Sequence, residues 1–160
     1  MVIYYSWTGN TKAYAEALAA KKGLPLFELK EKAARGSGKL DFIKAIFQIM
    51  GRKETLETEV TALPELSSCN EIFVCSPVWA DTFTPSVRTF LNHAGLTNKK
   101  VHFLFTCAAK NVSSQGFQKS AAKFLKGKDC IAGEMYAFSM HNQRPLNIEK
   151  VKNDIDVAIK

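Results

Sequence analysis

Four short, nearly continuous apolar runs constrain this chain more than any other feature. They are residues 2–5, 72–75, 101–107 and 131–138, with a weaker, half-alternating run at 26–29. Successive side chains of a strand point to opposite faces of its sheet. An unbroken apolar run therefore belongs to a strand buried on both faces, as in a parallel sheet covered by helices. Amphipathic stretches long enough for helices separate the runs. This alternation predicts a three-layer, doubly wound α/β domain with right-handed crossovers.

The first helix is predicted over 10–22, with Tyr14, Leu18 and the alanines at 13, 15 and 17 as its packed face, stopped by Gly23 and Pro25. Residues 30–39 read as a basic loop around Arg35-Gly36-Ser37-Gly38. Residues 40–50 carry Leu40, Phe42, Ile43, Ile46, Phe47, Ile49 and Met50, more than one helical stripe. They predict a buried helix, or one whose surplus face meets a partner subunit or a cofactor edge. Residues 51–70 read as a surface passage with a short helical turn. Thr84 as N-cap and Pro85 as first helical residue open the next helix, with Val87, Phe90, Leu91 and Ala94 inward and Gly95 as its stop. Phe117, Ala121, Phe124 and Leu125 mark a further helix ended by Gly127. Ile148, Val151, Ile155 and Ile159 mark the last, over 147–159.

The 160 residues suit one domain, 1–160, with a real core. No window approaches the ~18 consecutive apolar residues of a membrane span, and residues 1–5 lack the basic flank of a signal peptide. A cytoplasmic protein without membrane insertion is expected. Cys69, Cys75, Cys107 and Cys130 form no CxxC and match no zinc spacing, so reduced thiols and no metal are expected. Net charge is +7, with lysine spread along the chain. No nucleic-acid motif accompanies it, so a generally cationic surface is read first, and an acidic partner or anionic substrate second.

Ligands of a doubly wound sheet bind outside the carboxyl ends of its strands, where the strand order reverses. Loops 6–11, 76–84 and 107–116 would gather there. The first, Ser6-Trp7-Thr8-Gly9-Asn10-Thr11, lies between a strand and a helix start and offers three hydroxyls, an amide and backbone N–H groups at the positive end of the helix. It lacks the glycine spacing of a dinucleotide turn and the lysine of a P-loop, so it suits a single phosphate monoester. The second loop places Trp79 beside Pro77 and Val78, able to cover a flat heteroaromatic ring. The third supplies small residues that allow a ring edge to approach closely.

The pattern Ser6-x-Thr8-Gly9-Asn10-Thr11 after a first strand resembles the phosphate loop of the flavodoxin family. Ser76-Pro77-Val78-Trp79, followed by Thr84-Pro85 and a helix containing Phe90-Leu91, is similar to its ring-contacting loop. The resemblance implies a five-stranded parallel sheet of order 2-1-3-4-5 and a non-covalent FMN site. It implies phosphate on Ser6, Trp7, Thr8, Gly9, Asn10 and Thr11, and the ring beside Pro77, Val78, Trp79, Ala80 and Asp81. Thr106, Cys107, Ala108, Ala109 and Gly116 would form the third wall. Ala80-Asp81 stands where the family's carriers often place a glycine. Those carriers are usually acidic, and this chain is basic.

No side chain is singled out as catalytic. His93 lies near a helix end, His102 inside an apolar strand reads as structural, and His141 stands where it could reach a substrate near the flavin. Cys75 and Cys107 end neighbouring strands, facing either the same side or opposite sides. The expected function is electron transfer through non-covalent FMN, with a redox partner protein. The alternatives are an FMN-dependent oxidoreductase acting on a quinone or nicotinamide substrate, and a flavin-free interaction module. Monomer and dimer are both open.

Overall fold

The computed structural model describes residues 1–31, 64–110, 115–141, 143 and 145–160. The helix expected over 40–50, most of the basic loop 30–39 and the tip of the third loop, 111–114, lie outside the described residues.

The apolar runs form strands: β1 (Val2–Tyr4), β2 (Leu26–Glu28), β3 (Glu71–Pro77), β4 (Lys100–Cys107) and β5 (Ile131–Ser139). They pair in parallel in the order β2-β1-β3-β4-β5, as the resemblance implied. Helices α1 (Asn10–Lys22), α2 (Pro64–Ser68), α3 (Pro85–His93), α4 (Gln115–Leu125) and α5 (Ile148–Ala158) complete the alternation. Gly23 ends α1 in the left-handed conformation at φ 62° and donates its N–H to the Ala19 and Ala20 carbonyls. Gly95 plays no such part, because α3 is closed one residue earlier by Ala94 at φ −71°.

Strand alternation divides the core in two. Ile3, Tyr5, Ile72, Val74, Val101, Phe103 and Phe105 pack with Val87, Phe90 and Leu91 of α3 and with Phe117 and Ala121 of α4. Val2, Tyr4, Phe73, Cys75 and Leu104 pack on the opposite face with Tyr14, Leu18 and Ala19 of α1 and with Val151 and Ile155 of α5. The two faces thus bury adjacent residues of the same strand, which is why the sequence runs have few polar interruptions. Strand β5 is the exception. It closes the sheet and is mostly half-exposed, with Ile131 58% exposed. Its apolar run reflects position beside β4 on one edge only, and not burial on both faces.

Phe83, fully buried, meets Phe103, Phe117 and Phe124 with ring centroids 5.2, 4.4 and 5.5 Å away and links α4 to the sheet. Thr84 occupies the N-cap position of α3, but its side chain makes no cap bond. Its buried hydroxyl has no partner among the described residues. Pro85 supplies the start of the helix instead.

His102 is structural, as expected. Its ring stacks on Phe73 at 4.5 Å. Nδ1 accepts the Glu134 N–H at 2.9 Å, so the proton sits on Nε2, which donates to Glu71 Oε1 at 3.0 Å. A Cβ on Gly133 would stand 2.7 Å from Nδ1, so only glycine fits opposite this ring. Burial lowers the His102 pKa below its ordinary value, against a smaller opposing pull from Glu71. The unfolded chain therefore binds the proton more readily, and stability must fall as pH drops below about 6.5. Denaturation curves between pH 7.5 and pH 5 should show this loss, and H102Q should remove that part of the pH slope while lowering stability at pH 7.5.

Candidate functional site

All five strands are parallel, so the loops after β1, β3, β4 and β5 leave from one edge of the sheet. The first loop turns from β1 into α1. Gly9 stands at φ 88°, a conformation cheap for glycine alone, and donates its N–H to Ser6 Oγ at 3.1 Å. No side chain caps α1 and no acidic residue occupies its first turn, where Lys12 is the ionisable group. The first helical N–H groups are thus left to an external acceptor, and the local field favours an anion.

The hydroxyls of this loop do not act alike. Thr8 is exposed, whereas Ser6 is half-buried and holds the turn. Thr11 is only 1% exposed, and its Oγ1 lies 2.7 Å from the buried Thr106 Oγ1. That bond fastens the first turn of α1 to the end of β4. Thr11 and Thr106 therefore fix the frame of the site, while Thr8, Gly9 and Asn10 present its accessible surface.

The second loop is pinned to β4 by the Val78 N–H, which donates to the Thr106 carbonyl at 2.9 Å. Trp79 and Thr82 exchange backbone hydrogen bonds of 3.1 and 3.0 Å around Ala80 at φ 46° and Asp81 at φ 56°. Two left-handed residues between a reciprocally bonded pair make a type I′ turn, which favours Asn-Gly. Ala80 is the strained member. The turn rests on α4, because Ser120 Oγ donates to the Asp81 carbonyl at 3.1 Å and a Cβ on Gly116 would stand 2.9 Å from Asp81 Cβ. Gly116 thus seats the second loop.

The turn brings the half-buried Trp79 ring to 5.2 Å from Trp7 and 6.2 Å from Tyr5, both edge-on. The two indoles, far apart in sequence, stand side by side between the first and second loops. The third loop starts at Cys107 and passes the exposed Ala108, Ala109 and Lys110. Ser139 Oγ donates to the Ala109 carbonyl at 2.6 Å, and the Met140 N–H to the Cys107 carbonyl at 2.7 Å, tying this loop to the end of β5.

Cys75 and Cys107 face opposite sides of the sheet. Cys75 is buried with Tyr14 and Phe73, and burial pushes its thiol pKa well up, so it stays neutral. Cys107 follows Thr106, whose side chain meets α1, and so alternates to the other face. His141 lies beyond β5, lining an open groove with Lys110 of the third loop, Gln143 and Lys150. Sequence reasoning missed this groove, since Gln143 and Lys150 carry no motif and converge only through packing of α5. Among the described residues no group of acidic, histidine and cysteine side chains could hold a metal ion, and no helix is long and apolar enough to cross a membrane.

The turn carries its own test. A80G should raise thermal stability by about 1 kcal/mol by releasing the left-handed strain. G116A should lower it, by pushing Asp81 off α4. Equal melting temperatures for A80G and wild type would contradict the strain assigned to Ala80.

No protein-family model matches this chain, and neither does any curated protein sequence. Solved structures do. A Bacteroides eggerthii protein assigned as a flavoprotein aligns at TM-score 0.74 and 20% identity, over 99% of this chain and 97% of its own. A flavoprotein from Lactobacillus acidophilus, solved in complex with FMN, aligns at TM-score 0.68 and 20% identity over 85% and 90% of the two chains. The two-electron reduced flavodoxin of Megasphaera elsdenii aligns at 0.55 and 14% identity over 99% and 100%. With the sheet order and the single-edge loops, these likenesses give the chain the flavodoxin-like α/β fold.

Proposed function

We propose that the chain binds FMN non-covalently and transfers electrons through it. The observation that carries this reading is the uncapped first turn of α1. It has no acid, a left-handed glycine and an exposed threonine, and it lies at the strand edge beside two indoles. The residues fit the group. Thr8, Asn10 and the N–H groups after Gly9 would hold the phosphate. Trp79 and Trp7 would cover the ring, and Ala108 and Ala109 leave room at its edge. The flavin, when bound, supplies the electron-accepting chemistry, and the protein supplies binding, orientation and tuning. The fold likeness to the Lactobacillus FMN complex supports the same reading.

The remaining residues of the site serve as frame. Thr11 and Thr106 hold α1 against β4, Val78 ties the second loop to the same strand, and Gly116 seats Asp81. We read it as an electron-transfer protein sooner than as a dedicated reductase, with the flavin as the group that would carry the chemistry. A cytoplasmic setting and a single domain over 1–160 go with this reading.

FMN should quench the tryptophan emission of the purified protein, since Trp7 and Trp79 stand in the proposed ring site. T8A should weaken FMN roughly tenfold and leave riboflavin unchanged, because only FMN carries the phosphate that this hydroxyl would meet. Equal losses for the two ligands would contradict the phosphate assignment. Mixed with a nicotinamide nucleotide and a quinone, the flavin-loaded protein should show no rapid turnover without an added reductase. Rapid turnover would replace the carrier with a quinone reductase.

A further inference from the structure

We infer that the exposed face of α4 is the docking surface for an acidic redox protein. The inference rests on the flavin reading, because this face adjoins the proposed ring site. Helix α4 carries Lys119 and Lys123 four residues apart, and Lys126 follows three residues on. The Lys126 N–H donates to the Ala122 carbonyl at 3.0 Å, so the helical turn runs through it. At about 100° per residue the three lysines stand within about 60° of one another, along about 10 Å of the helix. All three are exposed, whereas Phe117 and Ala121 are buried on the opposite side.

The fold leaves these charges without acids. Elsewhere the chain spaces lysine four residues from a carboxylate, as in Lys12–Glu16 of α1 at 3.8 Å and Lys150–Asp154 of α5 at 2.6 Å. Lys21 of α1 meets Asp156 of α5 at 3.1 Å. Helix α4 has no acid from Gln115 to Leu125. The side chains of Lys119, Lys123 and Lys126 meet no partner among the described residues. Like charges four residues apart weaken a helix. The helix dipole offsets this for Lys123 and Lys126, which stand at its negative end, and not for Lys119 in the middle. A carboxylate-bearing surface supplies what the fold omits.

The stripe begins at the site. Ser120, next to Lys119, donates its hydroxyl to the Asp81 carbonyl at 3.1 Å, and Gly116, one turn earlier, seats Asp81. A partner held on the lysines therefore lies beside the Trp79 turn. The exposed residues among them, Gln118 and Ala122, offer no ring for a base to stack on and no large apolar group to enter lipid. Protein carboxylates remain, and exposed lysines steer such a surface into a short-lived encounter. One electron then leaves the partner, which is oxidised, and enters the flavin, which is reduced, with no bond made or broken.

The test is an NMR titration of the full chain without FMN, at low salt, with a plant-type ferredoxin as the acidic probe and cytochrome c as the basic one. Ferredoxin should shift the amides of Gln118, Lys119, Ala122 and Lys123 and leave those of Lys12 and Lys152 in place. Cytochrome c should shift none of them. K119E should weaken ferredoxin roughly tenfold, K119R should not, and salt raised to about 0.3 M should release the probe. Lys119 is exposed, so K119E reads the surface without risk to the fold. With FMN bound, reduced ferredoxin should reduce the flavin roughly tenfold more slowly in K119E, while both chains bind FMN equally. A chain that takes up no FMN would contradict the flavin reading and still give the docking titration. No shift on α4 at about millimolar ferredoxin, shifts on α1 and α5 instead, or equal affinity of K119E and wild type would overturn the proposal. So would tighter binding of a DNA duplex or of phosphatidylserine vesicles than of ferredoxin.

Discussion

Parallel pairing with both faces covered is the constraint on which the rest of this molecule depends. Helices α1 and α5 close one face of the sheet, and α3 and α4 close the other. The edges where strands begin and end are left to meet a ligand. Because every strand runs the same way, one edge collects every strand-to-helix loop. The order reverses at β1, which pairs β2 on one side and β3 on the other, so the loops after β1 and β3 diverge to opposite faces. The Gly9 turn and the Trp79 turn stand on the two sides of that crevice.

What makes the crevice rigid is a set of short ties between elements distant in sequence. The Thr11–Thr106 bond joins α1 to β4, and the Val78–Thr106 bond joins the second loop to the same residue. Thr106 is thus a common anchor for both walls. Asp81 against Gly116 seats the second loop on α4, and Ser139 fixes Ala109. The cost of this rigidity appears at Ala80 and Asp81, which hold a left-handed turn without glycine. Strain of this sort persists where surrounding contacts over-determine the backbone, and here the Trp79–Thr82 pair and the Ser120 bond do so.

Much of the fold was legible because its strands advertise themselves. Residues 72–75 and 101–107 are apolar on both faces for a physical reason, and the strand order followed from the family resemblance. Helix α1 was legible at both ends, since a left-handed glycine stands at each. The limits are equally physical. An apolar run such as 131–138 does not say whether its strand is central or at the edge, because pairing beside β4 suffices to keep it. Gly95 looked like a stop signal, yet glycine ends a helix only where the chain needs a positive φ, and Ala94 had already left the helix. Of the candidate site, the turn at Gly9 and the position of Trp79 could be read from local sequence. The approach of Trp7 to Trp79, the division of labour among Ser6, Thr8 and Thr11, and the groove at Gln143 could not. Each depends on residues brought together by the sheet and not by spacing.

The central claim is that the first turn of α1 holds the phosphate of FMN. Phosphorus NMR of FMN added to the protein tests it most directly, because the phosphate is the only phosphorus present. The account predicts one shifted, broadened resonance that does not titrate between pH 5 and 8, since the uncapped helix turn would hold the dianion. A resonance that keeps the position and the pH titration of free FMN would contradict it.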